Sequence, residues 1–186
     1  MLPNKTDEEI IESFNAGNQE DFKDLVEKYT SHIYNFTARL VGRGNADDMV
    51  QEVFIKAWRN LKNFDSRKAS FKTWIFTIAK NTTTDFLRKK KSLNFSDLEN
   101  HNEEDSFIEK IPDEDLLPIE SMQKLEDKEV LDNVLNKLRP SYRQVLILHY
   151  QEEMTFDEIG KILKKPLNTV KSEHRRAIIE LRKILD

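Results

Sequence analysis

The sequence predicts an all-α protein of two small helical domains joined by a flexible acidic linker. Only four of the 186 residues are glycine and five are proline, and apolar residues recur at helical spacing along most of the chain. The hydrophobic content of 38%, with 34% charged residues, is low for one compact core and favours small domains. Charge is also segregated along the chain: residues 67–91 carry eight basic residues and one acid, residues 92–120 one lysine and ten acids, and residues 161–183 eight basic residues and two acids.

Composition excludes several classes of function. Without cysteine, the chain has neither a disulfide framework nor a thiolate metal site. The N-terminal residues lack a signal-peptide pattern, and the longest wholly apolar run, Val145 to Leu148, is too short to span a bilayer. The four histidines are scattered, and no Gly-rich phosphate loop or nucleophile motif is present. We therefore expect a cytoplasmic protein with no membrane insertion, catalytic residue, metal or cofactor.

Four helices are predicted in the first half of the chain. Thr6 and Glu9 have capping-box spacing, so the first helix begins there, and Gly17 is a plausible stop. Further helices are predicted after Asn18, from Asn45, and from about Ser70 to Lys91. Each carries an apolar stripe that we interpret as core.

The polar faces of the third and fourth helices are the candidate sites of this half. The third presents Asp48, Gln51, Glu52 and Lys56; two carboxylates four residues apart could begin a metal site, but no His or Cys is near. Acids also suit the first turn of a helix, so a solvated face and a partner-binding face both stay open. The outer stripe of the fourth helix lacks acids and is rich in hydrogen-bond donors, which can meet phosphates or exposed bases. Its residues are Thr73, Thr77, Lys80, Asn81, Thr84 and Arg88, whereas Phe71 and Trp74 are directed towards the core.

The second half begins with the acidic linker, residues 92–120, which has no sustained periodicity and two prolines. A helix is predicted from about Ser121 to Lys137, and Pro140 opens another. Thr155 and Glu158 form a second capping box before a short helix, which Pro166 ends. Asn168 is the expected N-cap of the last helix, which runs to Leu185.

The last two helices form a predicted helix-turn-helix. In the final helix an apolar side faces the core, and Lys171, Ser172, Arg175, Arg176 and Ile179 face outwards. An apolar face that sets the helix angle and a cationic face for phosphates and bases are what a major-groove helix needs. A solvated charged face on an ordinary helix pair is the alternative; the tight turn and one-sided basicity favour DNA binding.

Three blocks of the sequence together resemble the extracytoplasmic-function (ECF) group of bacterial sigma factors. They are NADDMVQEVFIKAWRNLKNFD, ASFKTWIFTIAKNTTTDFLRKKK and LRPSYRQVLILHYQEEMTFDEIGKILKKPLNTVKSEHRRAIIELRK. The resemblance implies a region-two helical bundle at 1–91, a linker at 92–120 in the RNA exit path of the polymerase, and a region-four helix-turn-helix at 121–186. It also implies promoter recognition and opening together with core RNA polymerase.

The same resemblance implies roles for particular residues. Asp48, Gln51 and Glu52 match the helix that docks on the beta-prime clamp helices of core polymerase. The implied minus-ten residues are Phe64, Lys80, Asn81, Thr84, Arg88 and Lys89, and the implied minus-thirty-five residues are Asn168, Thr169, Lys171, Ser172, Arg175 and Arg176. The implied partners are core polymerase, including its beta flap, promoter DNA and an anti-sigma factor. Localisation would then be the nucleoid when bound to polymerase, or the membrane through a tethering anti-sigma factor.

One residue departs from the family pattern. Glu173 stands where a basic residue is common, and the helical wheel places it on the flank of the recognition helix. We expect it to remove a phosphate contact or to change the accepted sequence. The alternative function is a self-sufficient helix-turn-helix regulator that binds an operator as a dimer, although no long coiled-coil seam is present.

Overall fold

The structure, a computed structural model, describes residues 5–93 and 128–185. Within these ranges the regular structure is entirely helical, and none of the helices there is long and apolar enough to cross a membrane. In chain order the α-helices are α1 (Asp7–Asn15), α2 (Phe22–Val41), α3 (Arg43–Asn60), α4 (Phe71–Leu93), α5 (Lys128–Lys137), α6 (Pro140–Leu146), α7 (Phe156–Leu163) and α8 (Leu167–Leu185). The 3-10 turns Gln19–Asp21 and Leu61–Asn63 precede α2 and follow α3, and a π-helical turn, Ile147–Gln151, continues α6.

Both predicted capping boxes are confirmed. The Thr6 hydroxyl accepts a hydrogen bond from the Glu9 backbone N–H at 3.2 Å, and the Glu9 carboxylate accepts one from the Thr6 N–H at 2.7 Å. Thr155 and Glu158 make the same reciprocal pair at 3.3 and 2.9 Å. Each box satisfies two backbone donors that a helix start would otherwise leave unpaired, so α1 and α7 begin where the spacing predicts.

The N-terminal domain is formed by α1 to α4. Helices α2, α3 and α4 pack against one another, and α1 lies on α2. Its largest fully buried side chains are Leu25, Ile33, Phe36, Leu61, Phe71, Ile75 and Phe76. Gly42, at φ 85°, ends α2 in a conformation that favours glycine. Helix α3 therefore begins at Arg43 rather than at the predicted Asn45, whose amide caps α2 by donating to the Val41 carbonyl at 2.9 Å.

The C-terminal domain is formed by α5 to α8, with α8 packed against the other three helices. Helix α5 begins at Lys128 in the described range, and the earlier part of the predicted helix, like the predicted linker, lies outside the described residues. The buried side of α8 is Val170, Glu173, His174, Ala177, Ile178 and Leu181. Leu185, the last residue of the helix, is exposed.

The two domains also pack against each other. Helix α7 lies on α4, and α5 lies on α2. Buried apolar residues of both domains form one connected cluster rather than two separate cores. Polar contacts cross the boundary as well: the Arg143 guanidinium donates to the Arg39 carbonyl at 3.0 Å, and Lys72 Nζ donates to the Glu152 carbonyl at 2.5 Å.

Candidate nucleic-acid interface

The outer face of α8 carries the predicted minus-thirty-five residues. Asn168, Lys171 and Ser172 are exposed, and the Ser172 hydroxyl donates to the Thr169 carbonyl at 3.0 Å. Arg175 and Arg176 are partly exposed, as is Thr169. The structure therefore brings these residues to one end and one side of α8. The predicted N-cap role of Asn168 is wrong, because the helix already begins at Leu167 and Val170 N–H donates to the Pro166 carbonyl.

Glu173 does not lie on the DNA-facing flank, so that prediction is also wrong. It is only 5% exposed, and one carboxylate oxygen accepts a hydrogen bond from Lys165 Nζ. Lys165 lies in the turn between α7 and α8. A charged residue was assigned to the surface because charges are rarely buried without a partner, and here the turn supplies the partner. Glu173 thus connects α8 to the turn that precedes it.

The turn depends on two backbone features. Lys164 ends α7 in the left-handed conformation, at φ 56° and ψ 44°, and Lys165 N–H donates to the Gly160 carbonyl at 3.0 Å. A Cβ atom added at Gly160 would lie 2.9 Å from the Lys165 carbonyl oxygen. This close approach explains a glycine inside α7, where glycine otherwise disfavours helix.

A histidine on the buried side of α8 is held neutral by its surroundings. The His174 ring is nearly buried, with Nε2 lying 3.0 Å from the Tyr150 hydroxyl. Burial lowers the pKa of His174 to about 4, and the neighbouring His149 adds to the shift. Burial also raises the pKa of Tyr150. His149 itself donates from Nδ1 to the Met154 carbonyl at 2.9 Å and stacks on Phe156 with ring centroids 4.5 Å apart. The buried side of α8 therefore packs in an aromatic layer formed by His149, Tyr150, Phe156 and His174.

The outer face of α4 carries most of the predicted minus-ten residues. Asn81, Thr84, Arg88 and Lys89 are exposed, and Lys80 is partly buried. Thr84 Oγ1 donates to the Lys80 carbonyl at 2.8 Å, whereas the Asn81 amide projects from the exposed surface. This part of α4 offers amide, hydroxyl and cationic groups, as a surface for phosphates and unstacked bases requires.

The first half of that stripe differs from the prediction. Thr73 is only 2% exposed and Thr77 is partly buried, so the predicted outward position of Thr73 is wrong. Thr73 is close to Ser70, with the two hydroxyl oxygens 3.0 Å apart. Helix α7 packs against α4, a contact between domains that a helical wheel for α4 alone does not contain.

The loop before α4 is held in one conformation by Asp65. Its carboxylate accepts hydrogen bonds from the Arg67 backbone N–H at 3.1 Å and from the Arg67 guanidinium at 2.9 Å. These bonds lower the pKa of Asp65 to about 2. Phe64 is partly buried, with its ring centroid 5.9 Å from that of Phe71 and 5.4 Å from that of Trp74. The predicted core positions of Phe71 and Trp74 are confirmed, since Phe71 is buried and Trp74 packs against the core.

The exposed face of α3 brings together the predicted polymerase-binding residues. Asp48, Gln51 and Glu52 are all exposed, and Glu52 pairs with Lys56 at 2.7 Å. Lys56 also donates to the Thr82 hydroxyl at 3.0 Å, which joins α3 to α4. In the described ranges no group of three or more His, Cys, Asp or Glu residues could hold a metal ion.

Sequence reasoning missed two residues on the same face. Ile55 is 50% exposed and Trp58 38% exposed, directly beyond Glu52 along α3. Trp58 is also held in place, because its ring meets those of Phe14 and Phe22 edge-on at 4.9 and 5.1 Å. Trp58 belongs to the apolar stripe of the third predicted helix, which we interpreted as core, and Ile55 was left without an assignment. Ile55 and Trp58 follow Asp48 by seven and ten residues, a spacing that puts them near the same side of a helix, and this pattern could have identified them.

Comparison with known proteins agrees with this architecture. Residues 25–93 match the family Sigma-70 region 2, and residues 128–181 match Sigma-70, region 4. The chain is 36% identical over 177 residues to the ECF RNA polymerase sigma factor SigW of Bacillus subtilis, covering 94% of each chain. It is 30% identical over 182 residues to the ECF RNA polymerase sigma-E factor of Escherichia coli K12, covering 95% of this chain and 93% of that one.

Two solved structures share the fold. The sigma factor RpoE in complex with the anti-sigma factor NepR from Bartonella quintana superimposes with a TM-score of 0.68 at 24% identity, covering 89% of this chain and 97% of that one. CnrH in complex with the cytosolic domain of CnrY gives a TM-score of 0.67 at 22% identity, with 95% of each chain covered.

The fold and the two matched regions define an RNA polymerase specificity subunit of the sigma-70 type. The chain belongs to the ECF group of the sigma-70 family of RNA polymerase sigma factors. The free-standing operator-binding regulator is therefore not favoured.

Proposed function

We propose that this sigma factor acts through three surfaces: the α3 face on core RNA polymerase, the α4 face on the minus-ten element and the α8 face on the minus-thirty-five element. The observation that carries the proposal is the presence of two donor-rich, cation-bearing helix faces on separate domains of one chain. A chain with two such faces can contact two separated DNA segments at once.

The α3 face has the composition of a protein interface. Exposed Ile55 and Trp58 supply apolar area, and Asp48 and Glu52 supply charge beside them. An exposed, rigidly held tryptophan is typical of residues that dominate binding energy at interfaces. We assign this face to the beta-prime clamp helices, with the acids meeting basic groups at its rim.

The α4 face is proposed to hold the non-template strand after melting. Asn81 can donate to and accept from a base edge, and Arg88 and Lys89 can meet backbone phosphates. Unstacking a base costs a few kcal/mol, and capture of the unstacked base offsets that cost. No bond is made or broken by this chain in the proposed mechanism; the polymerase performs the chemistry.

The α8 face is proposed to read the minus-thirty-five duplex from the major groove. Arg175 and Arg176 lie near the middle of the helix, where a bidentate contact to guanine is possible, and Lys171 lies nearer its N-terminal end. We also propose an anti-sigma factor as a partner, supported by the shared fold with RpoE, which was solved in complex with NepR.

The function is tested by in vitro transcription of a genomic fragment library with core polymerase, with and without this protein. Discrete new start sites that require the protein are expected, and the DNA upstream of them gives both elements. An absence of start sites, from polymerase that responds to another sigma factor, would contradict the proposal.

The assignments are tested with matched variants. Asp48→Arg should weaken assembly with core polymerase. Glu27→Arg, an equal charge reversal at an exposed position of α2, should not. Asn81→Ala should impair promoter opening more than assembly, measured by fluorescence of a base analogue in the minus-ten element. Asn35→Ala, an exposed amide on α2, is its control. If Asn81→Ala opens promoters normally, the minus-ten assignment is wrong.

A further inference from the structure

The boundary between the two domains contains a buried carboxylate. Glu152 of the C-terminal domain is 1% exposed. Its Oε2 atom lies 2.9 Å from Nδ1 of His32 on α2 and 3.7 Å from Nζ of Lys72 on α4. Lys72 Nζ also donates to the Glu152 backbone carbonyl at 2.5 Å. Both side-chain partners of Glu152 therefore belong to the other domain.

The local backbone directs Glu152 to this position. It follows the π-helical turn Ile147–Gln151, and its N–H donates to the Ile147 carbonyl at 3.2 Å. Glu153 then takes a positive φ of 54°, which is uncommon for a residue other than glycine. Single π-helical turns and left-handed residues carry a cost and frequently occur at functional positions.

The same boundary involves α4, the helix that also carries the proposed minus-ten residues. Lys72 and Thr73 are adjacent on α4, and α7 packs against that helix. The side chains of Asn81, Thr84 and Arg88, further along the same helix, are exposed. The contact with the C-terminal domain and the proposed minus-ten residues therefore share one helix.

While its two domains are packed against each other, an arrangement that we call closed, the protein cannot span the minus-ten and minus-thirty-five elements. Elements about 25 base pairs apart are about 85 Å apart along B-form DNA, at 3.4 Å for each base pair. A compact chain of this length has a radius of gyration of about 16 Å, so it is about 40 Å across. The 34 residues between the described ranges can reach about 110 Å when fully extended. Separation of the domains is therefore both needed and possible.

The interface has features of a contact that can open. Glu152 Oε1 and Arg143 Nε are buried without a hydrogen-bond partner among the described residues, although both residues bond across the boundary. Such atoms regain hydrogen bonds to water when the domains part. A cleft of about 370 Å³ also lies between α2 and α5, so packing there is incomplete.

We propose that Glu152, held between His32 and Lys72, is a latch that keeps the two domains of the free protein packed together until polymerase and promoter separate them. The separation by polymerase and promoter rests on the proposed function, but the latch itself does not. The latch is a contact within this chain and acts without any other protein.

The test measures the distance between the domains in the full-length protein without DNA or polymerase. The chain has no cysteine, so cysteines introduced by Lys23→Cys and Lys183→Cys are the only sites that a thiol-reactive spin label can modify. Both positions are exposed, one in each domain. Pulsed electron resonance should give one narrow distance distribution for the otherwise unchanged protein. Glu152→Gln should shift the ratio of closed to open molecules roughly tenfold towards open, because the substitution removes the buried charge that pairs with Lys72.

Two further variants make the result decisive. Glu153→Gln removes the neighbouring, exposed charge and should leave the distribution narrow. Lys72→Ala breaks the latch from the other domain, so opening by both Glu152→Gln and Lys72→Ala cannot be explained by misfolding of the C-terminal domain. Unchanged or narrower distributions in both variants would overturn the latch.

A second readout separates the latch from the proposed function. If the latch exists, Glu152→Gln should activate core polymerase at a lower protein concentration, because the free energy needed for opening is removed. Opened distances without any transcription would leave the latch standing and refute the proposed function. Normal transcription with unchanged distances would refute the latch and leave the proposed function standing.

Discussion

The ion pair between Lys165 and Glu173 predicts that one substitution, Lys165→Met, strongly lowers the free energy of unfolding. Glu173 is nearly buried; one carboxylate oxygen binds Lys165, and the other, Oε2, has no partner among the described residues. Lys165→Met retains most of the aliphatic side chain and removes the ammonium group. The carboxylate would then be buried without a counter-charge.

The magnitude follows from burial. Removing one partner of a buried ion pair costs about 3–5 kcal/mol. The Lys165 side chain is 29% exposed, so the pair is partly solvated. We therefore expect Lys165→Met to lower the free energy of unfolding by about 2–3 kcal/mol. Urea unfolding followed by circular dichroism measures it.

The control is a pair at the surface. Lys161 lies 2.8 Å from Asp157, but both side chains are more than half exposed. Lys161→Met should cost less than about 0.5 kcal/mol. The double variant Lys165→Met, Glu173→Leu should recover most of the stability, because it leaves no buried charge. A cost for Lys165→Met equal to that of Lys161→Met, or a double variant no better than the single one, would refute this account.

Three further predictions concern the same domain. His174 has a pKa of about 4 when folded and about 6.5 when unfolded, so the unfolded chain binds the proton first; stability is complete above pH 6.5 and falls by about 3 kcal/mol as pH drops to about 4. His174→Leu should flatten this part of the stability profile, and an unchanged slope would contradict the assignment. Gly160→Ala should destabilise by about 1–3 kcal/mol because its Cβ meets backbone, whereas Gly44→Ala, with open space around it in α3, should be neutral or stabilising; equal effects would rule out the steric explanation. Arg176→Ala should weaken promoter binding by about 1–3 kcal/mol in a sequence-dependent way, measured by competition between promoter variants, and equal loss on every sequence would exclude base readout.

The helices were predictable because their signals are local. Both capping boxes, the break before α8 and the apolar stripes depend on residues within a few positions of one another. The same periodicity placed Asp48 and Glu52 of α3 and Lys171 of α8 on exposed faces, although it misplaced Glu173. The boundaries that differed, at Arg43 and Leu167, lie where two helices almost adjoin and the turn geometry decides the start.

The buried residues that the sequence did not reveal have distant partners. Glu152 meets His32 and Lys72, which are 120 and 80 positions away in the chain. A charged residue in isolation is best assigned to the surface, and only the packed structure supplies its counter-charge.

The two buried glutamates have different consequences for function. Glu173 pairs within one domain, so the contact can persist whether the domains are together or apart, and it stabilises the turn that positions α8. Glu152 pairs across the boundary, so any separation of the domains must break its contacts. Substitution of Lys165 should therefore change the stability of the C-terminal domain, and substitution of Lys72 should change the distance between domains. The two measurements are independent, because no residue is shared between the pairs.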